Sequence, residues 1–294
     1  MKIVIIGSKG QLGRDCCDIL SQDNSVVGCD IPTVDIGDQK SVDNYITETN
    51  PDVIINCAAY TAVDACESEQ ELAWRVNATG PEFLAKAANR HKSRLIHIST
   101  DYVFDGKLAP PAAYKEQDKT NPLSEYGRSK LAGEKAVIAH AENHLILRTA
   151  WLYSPYGGNF LKTMLRLTLA DGDREIKVVN DQYGSLTWSY TLALQIQKLL
   201  SPDIQGIVHT TSDGYSTWYE AACYFLDIMG VKHNLKPCTT ADYPTPAHRP
   251  ANSILSNSRL DEAGISSFAS WQEHLDTFVD KYREQLLDEA KSQQ

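Results

Sequence analysis

The sequence has 294 residues, of which 42% are hydrophobic and 22% are charged, and its formal net charge is −10. This composition is typical of a globular protein, and no apolar run is long enough to cross a membrane. The acidic balance disfavours non-specific binding to nucleic acids, which requires a basic surface that displaces counterions.

Five short apolar runs, rich in β-branched residues, alternate with stretches of helical periodicity over the first 150 residues. This alternation predicts βαβ units around a parallel sheet. The predicted strands are KIVII (2–6), SVVGC (25–29), DVIIN (52–56), RLIHIS (94–99) and HLILRT (144–149). The predicted helices cover 10–22, 39–49, a long stretch within 67–90, and 126–141. We therefore predict an α/β protein whose first domain, residues 1–150, is a Rossmann-type doubly wound parallel sheet.

The second half of the chain, residues 151–294, has a less regular pattern. It predicts helices in 157–172, 188–200 and about 270–288, and strands in 175–179 and 206–210. The rest of 202–216 is expected to be loop, and 236–257 show no clear periodicity. We expect a smaller C-terminal substrate-binding lobe, from which some segments return to the main sheet, and a polar tail that frays.

The cysteine content and the N-terminus bear on the cellular compartment. Seven cysteines are an odd number, and two of them, Cys16 and Cys17, are adjacent, which argues against an exported disulfide scaffold. The apolar run in MKIVIIG is too short for the core of a signal peptide. We therefore expect a cytoplasmic protein with reduced thiols. No CxxC pair is present, and we predict no metal site.

A glycine-rich turn, GSKGQLG, connects the first predicted strand to the first predicted helix. Gly7, Gly10 and Gly13 permit a tight turn that presents backbone N–H groups and the positive helix end to a pyrophosphate. The spacing is GxxGxxG rather than the GxGxxG of standard dinucleotide dehydrogenases. Strand, turn and helix in this order nevertheless predict a dinucleotide site.

The residues around this turn leave the cofactor open between NADPH and NADH. Asp30 ends the second strand, where a carboxylate can accept hydrogen bonds from both ribose hydroxyls of NAD. Lys9 and Arg14 can instead neutralise the 2′-phosphate of NADP. Asp30 also suits a structural role, as a turn former before Pro32.

Tyr126 and Lys130 are four residues apart in a predicted helix that follows the fourth strand. Positions i and i+4 share one helix face, although the spacing alone is more typical of a solvated face. The fourth strand ends in STDYVFDG, where Thr100 and Asp101 emerge at the sheet edge that binds ligands in open parallel sheets. These groups are therefore predicted to meet at one site.

The glycine-rich turn, Thr100 and the YxxxK pair together resemble the short-chain dehydrogenase/reductase superfamily. Over nearly the whole chain, further stretches are similar to its extended branch and specifically to dTDP-4-dehydrorhamnose reductases. These stretches are PDVIINCAAYTAVDACESE (51–69), VNATG (76–80), STDYVFDG (99–106), YGRSKLAGE (126–134), RTAWLY (148–153), GGNFLKTML (157–165), VVNDQYGSLT (178–187), STWYE (216–220) and YPTPAHRP (243–250).

This resemblance implies reduction of the C4 keto group of a dTDP-linked 6-deoxy-L-hexulose, giving dTDP-L-rhamnose or a close analogue. The implied catalytic residues are Thr100, which hydrogen-bonds the keto oxygen, Tyr126, which transfers the proton, and Lys130, which favours the phenolate. The implied cofactor contacts are Gly7, Gly10, Gln11, Leu12, Asp30, Asp35, Ile36, Ala58, Ala59, Tyr60, Asn77, Tyr126 and Lys130. The implied substrate contacts are Thr100, Asp101, Trp151 and Arg249.

Three of these assignments carry a specific expectation. Asn77 is expected to support Lys130 through water. Arg249 is expected to bind the substrate diphosphate, because a planar guanidinium matches phosphate oxygens, although a solvated arginine is the alternative. Trp151, like Trp218, can equally be a core aromatic residue.

Three other functions remain to be distinguished from reduction. Sugar-nucleotide dehydratases of this fold carry Asp-Glu after the active-site threonine, whereas Asp101 is followed here by Tyr102. Epimerases use the same tyrosine and lysine, so only the substrate-side stretches argue against them. A non-catalytic nucleotide-binding regulatory subunit is disfavoured by the complete catalytic set.

Metal binding and assembly are the last points. Some family members bind magnesium at a dimer contact through acidic residues, but LTWSYTLAL (186–194) contains no carboxylate, and only Asp15 stands at a plausible position. We therefore do not transfer that metal site. The expected partner is a small-molecule dTDP-sugar, without nucleic acid or membrane, and the oligomeric state, including a homodimer, stays open.

Overall fold

The computed structural model describes residues 1–200 and 204–292. The strands are β1 (Lys2–Ile6), β2 (Ser25–Cys29), β3 (Val53–Asn56), β4 (Arg94–Thr100), β5 (His144–Thr149), β6 (Leu152–Tyr153), β7 (Ile176–Val179), β8 (Tyr183–Gly184), β9 (Thr187–Trp188), β10 (Gly206–His209), β11 (Ser216–Thr217) and β12 (Leu235–Cys238). The helices are α1 (Gln11–Leu20), α2 (Gln39–Thr49), α3 (Gln70–Trp74), α4 (Gly80–His91), α5 (Glu125–His140), α6 (Phe160–Ala170), α7 (Ser189–Leu199), α8 (Trp218–Ile228), α9 (Ser258–Glu262) and α10 (Trp271–Ser292).

The central element is a six-stranded sheet in the order β10-β5-β4-β3-β1-β2. Every neighbouring pair in it is parallel, with Ile3 opposite both Val26 and Val53. The chain starts in β1, moves outward to β2, and then crosses back to β3, β4 and β5. The predicted Rossmann-type, doubly wound parallel sheet is confirmed.

The sheet is buried on both faces because successive side chains of each strand point in opposite directions. Ile3 and Ile5 of β1 pack with α1 and α7 on one face. Val4 and Ile6 pack with α2, α4 and α5 on the other face. This packing explains why the strands are almost continuously apolar and could be located from sequence.

A second core lies outside the sheet and is built around α6, α8 and α10. Leu165, Phe225 and Phe278 are completely or almost completely buried in it. Helix α7 instead covers the sheet, and β10 extends its edge. The second half of the chain therefore contributes to both parts of the molecule.

The long helix expected within 67–90 is interrupted. The chain forms α3, a wide π-type turn over Arg75–Thr79, and then α4. A Cβ on Gly133 of α5 would lie 2.2 Å from the carbonyl oxygen of Asn77 in this turn. The glycine thus permits α5 to pack directly against the turn and to bring its own residues close to Asn77.

The C-terminal helix α10 runs to Ser292, four residues beyond the predicted helix end. The end of the expected polar tail, residues 293–294, and the start of the expected loop, residues 202–203, lie outside the described residues. Within the described part of the chain, no helix is both long and apolar enough to cross a membrane.

Candidate active site

A cleft of about 470 Å³ opens where β1, β3, β4 and β5 end. The residues that follow these strands meet here because parallel strands end at the same edge of a sheet. The predicted site residues that line it are Gly10, Gln11, Leu12, Ala59, Thr100, Asp101, Tyr126, Lys130 and Trp151. The three predicted catalytic residues and the glycine-rich turn therefore share one cavity.

The glycine-rich turn is shaped by close backbone approaches. Gly7 has a φ of +79°, and a Cβ on it would lie 2.6 Å from the backbone nitrogen of Ala58. A Cβ on Gly13 would lie 2.1 Å from the carbonyl oxygen of Gly7. Helix α1 begins directly after Gly10 without a side-chain cap, so its first N–H groups keep their hydrogen-bonding capacity. This cradle fits a pyrophosphate.

The wall after β3 is held in place by Asn77. Its Oδ1 accepts a hydrogen bond from the Tyr60 backbone nitrogen (2.8 Å), and its Nδ2 donates to the Tyr60 carbonyl oxygen (3.0 Å) and to Ser129 Oγ (3.2 Å). Asn77 therefore links the segment at Tyr60, which is predicted to contact the cofactor, to helix α5. Its support of Lys130 through water stays a prediction. Ala58 lies behind this wall, against Gly7.

The three residues predicted at the adenosine end are not among the residues that line the cleft. Asp30 accepts hydrogen bonds from the backbone nitrogens of Lys9 (3.3 Å) and Ile31 (2.9 Å), so its carboxylate lies next to the glycine-rich turn. The Asp35 carboxylate is paired with the Arg75 guanidinium. Ile36 is buried. Any contact of Asp35 and Ile36 with adenine therefore has to use groups that remain accessible beside these interactions.

Helix α5, which carries the predicted catalytic residues Tyr126 and Lys130, is positioned by a second close backbone approach. Ser124 caps α5 by accepting a hydrogen bond from the Gly127 backbone nitrogen (3.2 Å). A Cβ on Gly127 would lie 2.3 Å from the carbonyl oxygen of Tyr102. Because this position has no side chain, the first turn of α5 contacts the segment after β4. The Tyr126 ring consequently packs edge-on against Tyr102, with ring centres 5.5 Å apart.

Thr100, Asp101 and Tyr126 form a connected polar group. Thr100 Oγ1 donates to Asp101 Oδ1 (2.9 Å), and the Thr100 hydroxyl lies beside the Tyr126 phenol, where it opposes the rise of the phenol pKa. Asp101 is only 2% exposed, and burial raises its pKa to about 6. The keto-oxygen position expected beside Thr100 is thus bordered by a threonine hydroxyl, a phenol and a carboxyl group.

The pKa values of Tyr126 and Lys130 differ from the simplest expectation. Burial raises the pKa of the Tyr126 phenol, with the Thr100 hydrogen bond opposing the shift. Burial lowers the pKa of Lys130 to about 8, and its Nζ donates to the Ile98 carbonyl oxygen at 2.7 Å. The structure therefore does not show the lowered phenol pKa that the sequence analysis expects.

A buried ion pair anchors the catalytic helix to the sheet. Glu134 of α5 accepts hydrogen bonds from Arg148 Nε (2.8 Å) and Nη2 (2.7 Å) of β5, and from Ser99 Oγ (2.5 Å) of β4. The side chains of Arg148 and Glu134 are 2% and 1% exposed. The position of α5 is thus coupled to the two strands whose ends supply Thr100 and Trp151.

Two stacked tryptophans form the opposite side of the cleft. The Trp151 and Trp218 rings are 3.6 Å apart and nearly parallel, and both residues line the cavity. Trp151 adopts a φ of +46°, an unfavourable conformation for a large side chain. A Cβ on Gly184 would lie 2.5 Å from the Trp151 ring. Both aromatic rings are therefore cleft residues in addition to their packing role.

Several cleft residues were not selected from the sequence. These are Cys57, Thr61, Val63, Ile98, Ser99, Tyr102, Thr149, Ala150, Leu152, Gly157, Gly158 and Trp218. Many belong to stretches already recognised by resemblance, such as STDYVFDG and RTAWLY. Their position in these stretches was the feature of the sequence that could have identified them.

Arg249 is not among the residues that line the cleft, and its contact with the substrate diphosphate stays a prediction. Its guanidinium forms a bidentate ion pair with Asp64, with Nη1 to Oδ1 at 3.0 Å and Nη2 to Oδ2 at 2.8 Å. The predicted contact with a diphosphate therefore competes with an existing protein carboxylate.

Asp15 is a buried carboxyl group outside the cleft. It accepts a hydrogen bond from Ser189 and lies near the charge of Lys281, and burial raises its pKa to about 6. In the described ranges 1–200 and 204–292, no cluster of three or more histidine, cysteine or acidic side chains could hold a metal ion. Asp15 thus has Ser189 and Lys281 beside it, with Asp18 as a nearby acidic group.

Comparisons with known proteins agree with this geometry. The family model described as the RmlD substrate binding domain matches residues 1–284. A dTDP-4-dehydrorhamnose reductase of Sinorhizobium fredii is 40% identical over 284 residues, covering 93% of this chain and 95% of that protein. The chain belongs to the dTDP-4-dehydrorhamnose reductase family. As a member of this family it is an NAD(P)H-dependent oxidoreductase, which confirms the prediction from sequence.

Two solved structures of the family are similar over almost their full length. The reductase of Clostridium acetobutylicum has a TM-score of 0.93 and 39% identity, covering 96% of this chain and 100% of that chain. The reductase of Bacillus anthracis in complex with NADP has a TM-score of 0.92 and 36% identity, covering 95% of this chain and 99% of that chain. The family assignment thus extends to the arrangement of both halves of the chain.

Proposed function

We propose that this chain reduces the C4 keto group of a dTDP-linked 6-deoxy-L-hexulose with NADPH or NADH, giving dTDP-L-rhamnose or a close analogue. The observation that carries the proposal is the meeting of Thr100, Tyr126 and Lys130 in the cleft that also contains the glycine-rich turn. Membership of the reductase family supports the same reaction. Tyr102 occupies the position after Asp101 where dehydratases carry glutamate, which argues against elimination of water.

The cofactor supplies a hydride to the sugar C4 when it is bound, and the chain supplies binding and orientation. The backbone around Gly10, Gln11 and Leu12 would hold the pyrophosphate at the positive end of α1. Lys130, fixed by the Ile98 carbonyl group, would position the nicotinamide ribose. Removal of bulk water from such a site strengthens each of these polar contacts.

The chain also supplies the proton. Because burial raises the pKa of Tyr126, its phenol is protonated at neutral pH and can donate a proton to the oxygen that becomes negative during reduction. Thr100 would donate a hydrogen bond to the same oxygen and stabilise the developing charge. This makes Tyr126 a general acid whose function does not require a phenolate in the resting protein.

Two residues favour different dinucleotides. The Lys9 ammonium has no hydrogen-bond or ion-pair partner among residues 1–200 and 204–292, and Lys9 lines the cleft, which suits a 2′-phosphate. Asp30 lies beside it and suits a free ribose diol. Comparing kcat/KM for NADPH and NADH in Lys9→Ala and Asp30→Ala tests this division. Loss of Lys9 should weaken NADPH more than NADH, and loss of Asp30 should do the reverse.

The decisive experiment is a steady-state assay of the purified full chain. Loss of NADPH or NADH absorbance should require the 4-keto-L-sugar nucleotide, and NMR of the product should show a new C4 hydroxyl group. An epimerase would interconvert its sugar nucleotides without net consumption of the dinucleotide. A regulatory subunit would bind the dinucleotide and show no turnover. Either result would replace the proposed reduction.

A further inference from the structure

The ion pair between Asp64 and Arg249 joins two segments that are far apart in the chain. Asp64 follows β3, in the same segment as the cleft residues Thr61 and Val63. Its carboxylate accepts both guanidinium hydrogen bonds of Arg249 and a third from the backbone nitrogen of Ala247 at 3.1 Å. All three donors belong to the segment 243–251 of the second half.

Arg249 also organises its own segment. Its Nη1 donates to Thr245 Oγ1 (2.5 Å) and to the Ala247 carbonyl oxygen (3.3 Å). The guanidinium charge also opposes the rise of the Tyr102 pKa, which places Arg249 near the Tyr102 phenol, whose ring packs against Tyr126. A single side chain thus connects the 243–251 segment, the wall after β3 and the neighbour of the catalytic tyrosine.

A second contact fixes the same segment at its other end. Gly106 has a φ of +70°, and a Cβ on it would lie 2.6 Å from the Ala251 nitrogen and 2.7 Å from Pro250 Cβ. The segment is therefore held by a close backbone approach on one side and by the ion pair on the other. Only the ion pair depends on charge.

This pair differs from an ordinary surface ion pair. Exposed pairs contribute little because they are solvated and their side chains are free to move. Here the Asp64 side chain is 41% exposed, but the Arg249 side chain is only 20% exposed, and the bidentate geometry is reinforced by a backbone hydrogen bond. This geometry is consistent with a structural role for the ion pair. Because Asp64 follows the cleft residues Thr61 and Val63, loss of the ion pair should also affect the cleft.

We propose that Asp64 is a positioning residue for the sugar nucleotide: through Arg249 it holds the 243–251 segment against the wall that contains Thr61 and Val63. The proposal rests on the proposed function. Asp64 does not touch the reacting atoms, so its loss should weaken binding of the dTDP-sugar and leave hydride and proton transfer intact. Arg249 then acts first as part of this contact, which differs from the simple diphosphate ligand expected from sequence.

The test compares Asp64→Asn with the wild type in three measurements: KM and kcat for the dTDP-sugar, binding of dTDP by calorimetry, and binding of NADPH. We expect KM and the Kd of dTDP to rise about ten-fold, with kcat within a factor of about three and NADPH affinity unchanged. Asp43→Asn is the matched control, because the Asp43 carboxylate is 37% exposed, close to the 41% of Asp64, and pairs with Arg90 away from the cleft. It should change none of these values.

A double-mutant cycle with Arg249→Gln separates positioning from independent roles. If Asp64 acts through Arg249, the double variant should bind dTDP no more weakly than Arg249→Gln alone. If the two single substitutions raise the Kd of dTDP by factors that multiply in the double variant, the proposal is overturned. An unchanged KM and dTDP affinity in Asp64→Asn would also overturn it. Failure of the wild type to reduce the dTDP-sugar would instead refute the proposed function, so the two failures are distinguishable.

Discussion

The two sides of the cleft are built in different ways. The dinucleotide side is shaped by backbone, since Gly7, Gly13 and Gly127 are positions where a methyl group would collide with main-chain atoms. The side proposed to bind the sugar nucleotide is shaped by side chains, chiefly the Trp151–Trp218 stack, with the Asp64–Arg249 ion pair behind the wall that contains Thr61 and Val63. Changes on the first side should therefore alter folding and cofactor binding together, whereas changes on the second side should alter substrate binding alone.

The largest expected effect comes from Tyr126, where the two sides meet. Tyr126→Phe should lower kcat by about 10²–10⁴-fold, because general acid catalysis is lost while the ring and its packing remain. NADPH binding should stay within a factor of about two, measured by fluorescence titration. Tyr114→Phe is the control, since it removes another buried phenol that bonds Asp105. Near-normal kcat in Tyr126→Phe would contradict the assignment.

The backbone-built side is tested by Gly13→Ala. The new Cβ would lie 2.1 Å from the Gly7 carbonyl oxygen, so the first turn of α1 must move. We expect a loss of about 1–3 kcal/mol in the free energy of unfolding and a weaker affinity for the dinucleotide, measured by denaturant unfolding and by titration. Gly158→Ala should leave stability unchanged because nothing lies within 4 Å of its Cβ position. Equal stabilities of the two variants would show that the turn is not constrained by backbone contact.

Asp101 links the two sides through a pH dependence. Burial raises its pKa from the ordinary value of 3.8 to about 6 in the folded protein, so the folded state binds more protons between these values and stability falls as pH rises through them. Asp101→Asn should therefore raise Tm at pH 7.5 and increase the free energy of unfolding by an amount on the order of 2 kcal/mol. This difference between the variant and the wild type should vanish towards pH 4.

The control for this prediction has the opposite sign. Hydrogen bonds and Lys107 lower the pKa of Asp105, so its ionised form stabilises the fold above its ordinary pKa, and this contribution is lost on acidification. Asp105→Asn should lower Tm at pH 7.5 and converge with the wild type at low pH. A Tm difference for Asp101→Asn that is independent of pH would rule out the buried charge as its cause.

The smallest expected effect concerns the side-chain-built side. Trp218→Ala removes the ring that stacks on Trp151, and we expect KM for the dTDP-sugar to rise about ten-fold with unchanged NADPH affinity. Trp74→Ala, on the exposed helix α3, should leave both values unchanged. A parallel loss of NADPH affinity in Trp218→Ala would blur the division between the two sides.

Burial and local sequence pattern explain how much of the fold could be predicted from the sequence. The central strands β1, β3, β4 and β5 are buried on both faces, so their apolar runs marked them to within one residue. Helix α8 was not predicted, although Thr217 and Glu220 form a capping box that signals a helix start. The two-residue strands β6, β8, β9 and β11 have no local pattern, because each depends on a partner distant in sequence.

The site was predictable where chemistry is local to a motif. The turn with Gly10, the end of β4 with Thr100, and the pair Tyr126 and Lys130 each carry their geometry in a short stretch. The partner of Arg249 was not predictable, since Asp64 is 185 residues away. The raised pKa of Tyr126 was missed for a related reason, because burial of a side chain is a property of the assembled fold and not of its neighbours in sequence.

The ion pair of Glu134 and Arg148 restricts how this chain can change by mutation. Replacing either partner alone leaves an uncompensated charge in the protein interior, which costs about 3–5 kcal/mol, a large share of the stability of a typical domain. Viable descendants must therefore exchange both residues together or first acquire stabilising substitutions elsewhere. Single mutations that would shift helix α5 on the sheet are therefore disfavoured by their cost in stability, independently of any selection on the reaction itself.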